Sequence, residues 1–210
     1  MNLVTHAEDY VFPLLETYCS NYPYHNPAHT RAVHSRAKYL AEKEWVVGDA
    51  LEDLEIATLF HDTGFIEQYD KNEYFGSRIA RKWLFEQRHP EKRIESIEHI
   101  IMATVLFSRP HTLLEEIIQD ADLENLWQTL EFQYSQNYYK ELTQYGKIWL
   151  SERVFWQFVE TLLKKFEFHT RTAQRENSPQ KKKNLALVDA YLIAMGYDIP
   201  SVGVEKITEI

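Results

Sequence analysis

The chain has 210 residues, 44% hydrophobic and 26% charged, enough apolar mass for one large domain or two small ones sharing an interior. Its 23 Lys and Arg against 32 Asp and Glu leave a formal net charge of −9. Neither nucleic acid nor an anionic membrane surface is the expected partner of so acidic a protein. No apolar run approaches a bilayer span, and Met1–Asp9 has no signal-peptide pattern. Cys19 stands alone, which excludes a disulfide framework and a Cys-based zinc site. These features point to a cytoplasmic protein.

Helical periodicity dominates, with only 6 Gly and 7 Pro to interrupt it. Asn26-Pro27 reads as a cap and first residue of a helix to about Trp45, with Val33, Ala37, Leu40 and Ala41 as its apolar stripe. A second helix runs from Asp49 to His61 on Ala50, Leu54 and Ala57, with Gly64 as the stop. A third starts near Asn72 or Glu73. His89-Pro90 restarts the chain into a helix carrying Ile94, Ile97, Ile101 and Val105. Thr112 to Glu115 has capping-box form before Leu114, Ile118 and Ala121. Trp149 to about Phe168 is a long amphipathic helix, and Ser178-Pro179 caps another that reaches Met195. The basic stretch Arg171 to Lys183 reads as a loop. The expected fold is all-α, one helical bundle over residues 1–195, followed by a loosely held tail over 196–210.

Four ionisable residues occupy positions where these stripes call for apolar ones. His29 precedes Val33 by one turn, His61 extends Ala50, Leu54 and Ala57, and Asp122 continues Leu114 and Ile118. Asp62 sits at a helix C-terminus, where the macrodipole disfavours a carboxylate by about 0.3–1 kcal/mol. No Lys or Arg lies within four residues of His61-Asp62 to offset it. Taken singly, each His is more often a hydrogen-bonded core residue. A divalent cation would answer all four anomalies together. The mixed nitrogen and oxygen donors suit manganese, iron, nickel, cobalt, zinc or magnesium rather than copper(I).

The segments Tyr24-His25-Asn26-Pro27-Ala28-His29, Leu59-Phe60-His61-Asp62 and Asp120-Ala121-Asp122-Leu123 resemble, in order, the motifs of the HD superfamily of metal-dependent phosphohydrolases. The resemblance covers about residues 20–130, leaving additional helices over about 131–195. With Asn72-Glu73 and Gly76-Ser77 it is similar to a bacterial branch of HD phosphohydrolases, and the entry motif is similar to that of cyclic-nucleotide phosphodiesterases. The resemblance implies an HD-type all-helical bundle with His29, His61, Asp62 and Asp122 as metal ligands. It further implies His25 as the acid that protonates the leaving oxygen, and Glu73 as a substrate-side residue. Members with two metals use further His ligands. Here only His99 and His111 are at hand, and Phe107 stands where the branch often has His, so one ion is favoured over two.

The implied activity is hydrolysis of a phosphomonoester or phosphodiester of a small, nucleotide-like metabolite by metal-activated water, with His25 and Asp62 as catalytic residues. The alternatives are a metal-binding module without catalysis and an HD-type di-iron oxygenase. Arg31, Arg78, Arg171, Arg175 and Lys181 to Lys183 are the cations open to an anionic substrate. An apolar face on the late helices is the expectation for a homodimer.

Overall fold

A computed structural model describes residues 2–129, 131–146 and 150–196, apart from the side chains of 125, 126 and 131. The expected tail, apart from Gly196, and the expected helix start at Trp149 lie outside the described residues. Among the described residues there are nine α-helices and no strand: α1 (Leu3–Tyr18), α2 (Pro27–Lys43), α3 (Asp49–Phe60), α4 (Asn72–Glu86), α5 (Glu91–Met102), α6 (Leu113–Asp122), α7 (Glu131–Gln144), α8 (Glu152–Lys165) and α9 (Arg171–Ala194). The fold is all-α. No described helix is long and apolar enough to cross a membrane.

The capping signals work as read. Asn26 Oδ1 accepts from the amides of Ala28 (2.9 Å) and His29 (3.2 Å), and Thr112 Oγ1 accepts from Glu115 N at 3.3 Å. Helix α3 is the axis of the bundle. Every residue from Asp53 to Phe60 is buried, and α1, α2, α4, α5 and α6 pack around it. Truncating a large side chain here, such as Leu54 or Leu59, costs about 2–5 kcal/mol. A run buried on all sides also explains why α3 carries so weak an amphipathic pattern.

Four expectations need correction. Helix α5 ends at Met102, and Val105 lies beyond it in a turn, 37% exposed. Gly64 is not a left-handed stop. A Cβ there would meet Asn72 O at 1.8 Å and Gly76 N at 2.7 Å, so the glycine permits α4 to cross against the turn after His61. The basic stretch 171–183 is not a loop and Ser178-Pro179 is not a start, because both lie inside α9. Thr170 sets that start instead: its Oγ1 accepts from Ala173 N at 3.2 Å and donates to Asp120 Oδ2 at 2.8 Å. Pro179 costs about 3 kcal/mol inside a helix. Buried Asn177, Val188 and Leu192 and the Asn184 bond to Gln128 O (3.1 Å) hold α9 across it. Finally, α1 and α7 form where periodicity singled out no helix.

Candidate metal centre

Three helices deliver the donors. Asn26 and Pro27 start α2 just ahead of His29, so its ring enters the interior one turn before Val33. His61 ends α3, Asp62 opens the 3-10 turn Thr63–Ile66, and Asp122 is the last residue of α6. His29 Nε2 lies 3.1 Å from Asp122 Oδ1 and 3.4 Å from Asp62 Oδ2. His61 Nε2 lies 3.2 Å from Asp62 Oδ2 and 3.6 Å from Asp122 Oδ1. One donor atom each from His29, His61 and Asp122 falls within 4.8 Å of the others. Ligands about 2.0–2.2 Å from one ion sit roughly 3.0–3.5 Å apart, the spacing these pairs have.

The hydrogen bonding favours a cation over a closed ion-pair cluster. His61 Nδ1 donates to Thr58 O at 2.7 Å, which fixes the tautomer and turns the Nε2 lone pair inward. That Nε2 and Asp62 Oδ2 are buried yet have no hydrogen-bond partner. Their 3.2 Å approach lacks the alignment of a bond. Two buried polar atoms facing each other unsatisfied cost about 1–3 kcal/mol apiece. A divalent ion between them would satisfy both. Burial works against charge at His61, Asp62 and Asp122, but opposite charge prevails. The carboxylates of Asp62 and Asp122 hold His61 well above the usual imidazole range, and the two imidazoles hold Asp122 well below the usual carboxylate range. A positive ion is the natural substitute for those protons.

His25 borders the same space, and its partner comes from far along the chain. Helix α7 contributes Glu141, whose side chain is fully buried. Its Oε2 accepts from the amides of Tyr24 (2.7 Å) and His25 (2.8 Å), while Oε1 engages His25 Nδ1 and accepts from Tyr69 OH at 3.0 Å. Phe65 stacks on the imidazole at 4.5 Å. Burial disfavours the imidazolium, yet Glu141 outweighs it and pushes His25 up to about 9. Glu141 itself is lowered, burial being overcome by His25 and the two amides. Sequence reasoning missed Glu141. The signal was of the kind that marked His29: an ionisable residue on the buried face of a helix, beside Tyr138 and Leu142.

A cavity of about 510 Å³ opens directly onto Asp62, Asp122 and His25. The crossing at Gly64 and Gly76 brings the first turn of α4 to its rim, so Glu73 faces into it. Burial, then Asp62 and Asp122, raise the Glu73 carboxyl, with His25 opposing. The other candidates lie elsewhere. His99 and His111 are exposed and outside the donor group. Arg31 pairs with Glu16 at 3.0 Å and covers the Phe12 ring, and Arg175 pairs with Glu176 at 3.4 Å. None of the expected basic residues lines the cavity; the Lys there is Lys71. Asp120 is fully buried and accepts from His169 N and Thr170 N at 2.9 and 2.8 Å.

Solved structures with the same fold span nearly the whole chain. The Lin1889 protein of Listeria innocua is 21% identical, covering 95% of this chain and 100% of its own, with a TM-score of 0.60. A predicted HD superfamily hydrolase from an uncultured Thermotogales bacterium is 18% identical over 93% and 100%, with a TM-score of 0.59. YpgQ of Bacillus subtilis, solved with ADP, is 18% identical over 95% and 96%, with a TM-score of 0.62. No curated protein matches the chain. Residues 28–124 match the family model of the HD domain, from the start of α2 to just past Asp122. That span, the part of the chain that is similar to the HD domain, encloses His29, His61, Asp62 and Asp122.

Proposed function

We propose that the protein is a metal-dependent phosphohydrolase that cleaves a phosphomonoester or phosphodiester of a small, nucleotide-like molecule. His29, His61, Asp62 and Asp122 hold one divalent ion. The observation that carries this reading is the pair of buried, unpartnered atoms, His61 Nε2 and Asp62 Oδ2, converging beside an open cavity. When bound, such an ion lowers the pKa of a water and offsets charge on the phosphoryl group.

The chain's own residues supply the rest. Glu141 fixes the His25 ring through Nδ1 and keeps it protonated at neutral pH, so the remaining N–H is a ready acid. In hydrolysis the water oxygen bonds to phosphorus and the ester P–O bond breaks, its electron pair going to the leaving oxygen. His25 protonates that oxygen, and the surplus proton of the water returns to His25 through solvent. Phe65 covers one face of the imidazole, which limits its rotation and its access to bulk water. An ion that only stapled helices would need no acid set beside it, which favours catalysis over a binding module. The test is metal analysis of protein purified without chelators, followed by phosphate release from an aryl phosphate with manganese, cobalt, nickel or magnesium. Protein that takes up none of these ions, or that binds them and releases no phosphate from any ester, overturns the reading.

A further inference from the structure

The cavity that meets the metal centre has two unlike ends. At the inner end stand Asp62, Asp122 and His25. Much of the remaining lining is apolar: Tyr138 from α7, whose ring lies 5.7 Å from that of His25, Phe158, Val159 and Leu162 from α8, Met102 at the end of α5 and Leu106 from the turn after it. Its volume of about 510 Å³ lies in the range that holds an organic molecule of drug size. Charge is distributed just as unevenly. Asp70 and Glu73 join Asp62 and Asp122 in the lining, against Lys71 as the one Lys or Arg among the described lining residues.

That balance limits how many phosphates can enter. One phosphoryl group can sit against the ion and the protonated His25. A second or third would lie between Glu73, Asp70 and apolar walls, where an uncompensated anion is strongly disfavoured. Polyphosphate sites use Arg and Lys clamps or glycine-rich backbone cradles, and neither lines this cavity. The apolar walls need a partner of their own kind, and the rings of Phe65, Tyr69, Tyr138 and Phe158 suit a planar group.

We infer that the substrate is a phosphomonoester of an aromatic or similarly planar apolar alcohol, and that the cavity selects against polyphosphate tails. This rests on the metal-dependent phosphohydrolase reading above. The phosphoryl group lies at the His25 end and the ring between α7 and α8. Glu73 lines the same cavity within electrostatic reach of Asp62 and Asp122, where it accepts from a hydroxyl or amino group and repels a further phosphate.

Calorimetry on manganese-loaded protein tests the inference without turnover. Phenylphosphonate should bind at least about tenfold more tightly than methylphosphonate, because one buried ring transfers on the order of 100 Å² from water. A non-hydrolysable nucleoside triphosphate analogue should bind more weakly than the corresponding monophosphate. Glu73→Gln, an isosteric change in the half-buried first turn of α4, should improve triphosphate binding about three- to tenfold, a larger gain than for methylphosphonate. Phe158→Ala should remove the advantage of phenylphosphonate. Should its fold fail, Glu73→Gln and the wild-type comparison still decide. Equal binding of the two phosphonates, or tighter binding of the triphosphate, overturns this inference while leaving the hydrolase reading intact. Protein that binds no manganese at all overturns the hydrolase reading instead.

Discussion

Helices α2, α3 and α6 and helices α7 to α9 serve one site by different means. In the first group, every donor follows from a local rule: a cap and a proline start α2 before His29, and an apolar stripe predicts the inward side of His61 and Asp122. In the second group the decisive contacts span the chain. Glu141 reaches back 116 residues to His25, and Asp120 reaches 50 residues on to Thr170. Ligands that gather a cation need only three correctly phased helices. Holding the proton of His25 and walling a cavity needs side chains whose placement depends on how the whole bundle closes.

The strongest way to break this division is to remove donors from the first group. His61→Ala and Asp62→Ala should each abolish metal uptake, measured by mass spectrometry, and reduce phosphate release to background. The fold should survive, since each change removes a buried atom that lacks a hydrogen bond within the protein, at the cost in His61→Ala of the bond from Nδ1 to Thr58 O. Variants that kept the metal would place the centre elsewhere. Next in size, His25→Ala should keep the metal and slow turnover by about 10²–10⁴-fold on an unactivated ester, the range for a lost general acid. Unchanged turnover would remove His25 from the reaction.

The sequence made the first group legible and the second only in outline, for physical reasons visible in particular residues. His29, His61, Asp62 and Asp122 stand out because a charged side chain on an apolar stripe is costly without a partner. Asp120 shares its helical spacing with the polar Glu116, yet it is fully buried, because its three donors come from a segment about 50 residues away. Arg171 to Lys183 has the composition of a loop, and nothing local signals that Asp120 and Thr170 start a helix there. Gly64 looked like a helix stop, but its role is contact with α4, a relation that only the folded chain creates.

Glu141 makes the comparison sharper, being the point where the second group meets His25. Glu141→Gln should lower turnover about 10- to 100-fold, as loss of an orienting partner does, while leaving metal content unchanged. The pH behaviour gives an independent reading. In metal-free protein, NMR should find His25 titrating near 9 in the wild type and closer to the ordinary 6.5 in the variant. Because the folded pKa is raised, the pair stabilises the fold fully below about pH 6.5 and loses that contribution as pH rises through about 9. The stability difference between wild type and variant should therefore shrink over that window. A difference that grew towards alkaline pH would contradict the assignment.

The smallest expected effect isolates what the second group does for the fold alone. Thr170→Ala removes the cap on Ala173 N and the hydroxyl donated to Asp120 Oδ2, but leaves both backbone amides on that carboxylate. Loss of a cap and one buried hydrogen bond costs about 1–2 kcal/mol, or roughly 2–8 °C in Tm for a chain of this length. Metal affinity should stay within about twofold of wild type, since the His29 and His61 rings confront Asp122 directly and α6 keeps its own cap at Thr112. A marked fall in metal affinity would mean that the start of α9 sets the position of Asp122 through the two residues between them. The two groups of helices would then be one mechanical unit at the centre, with Asp120 as the joint.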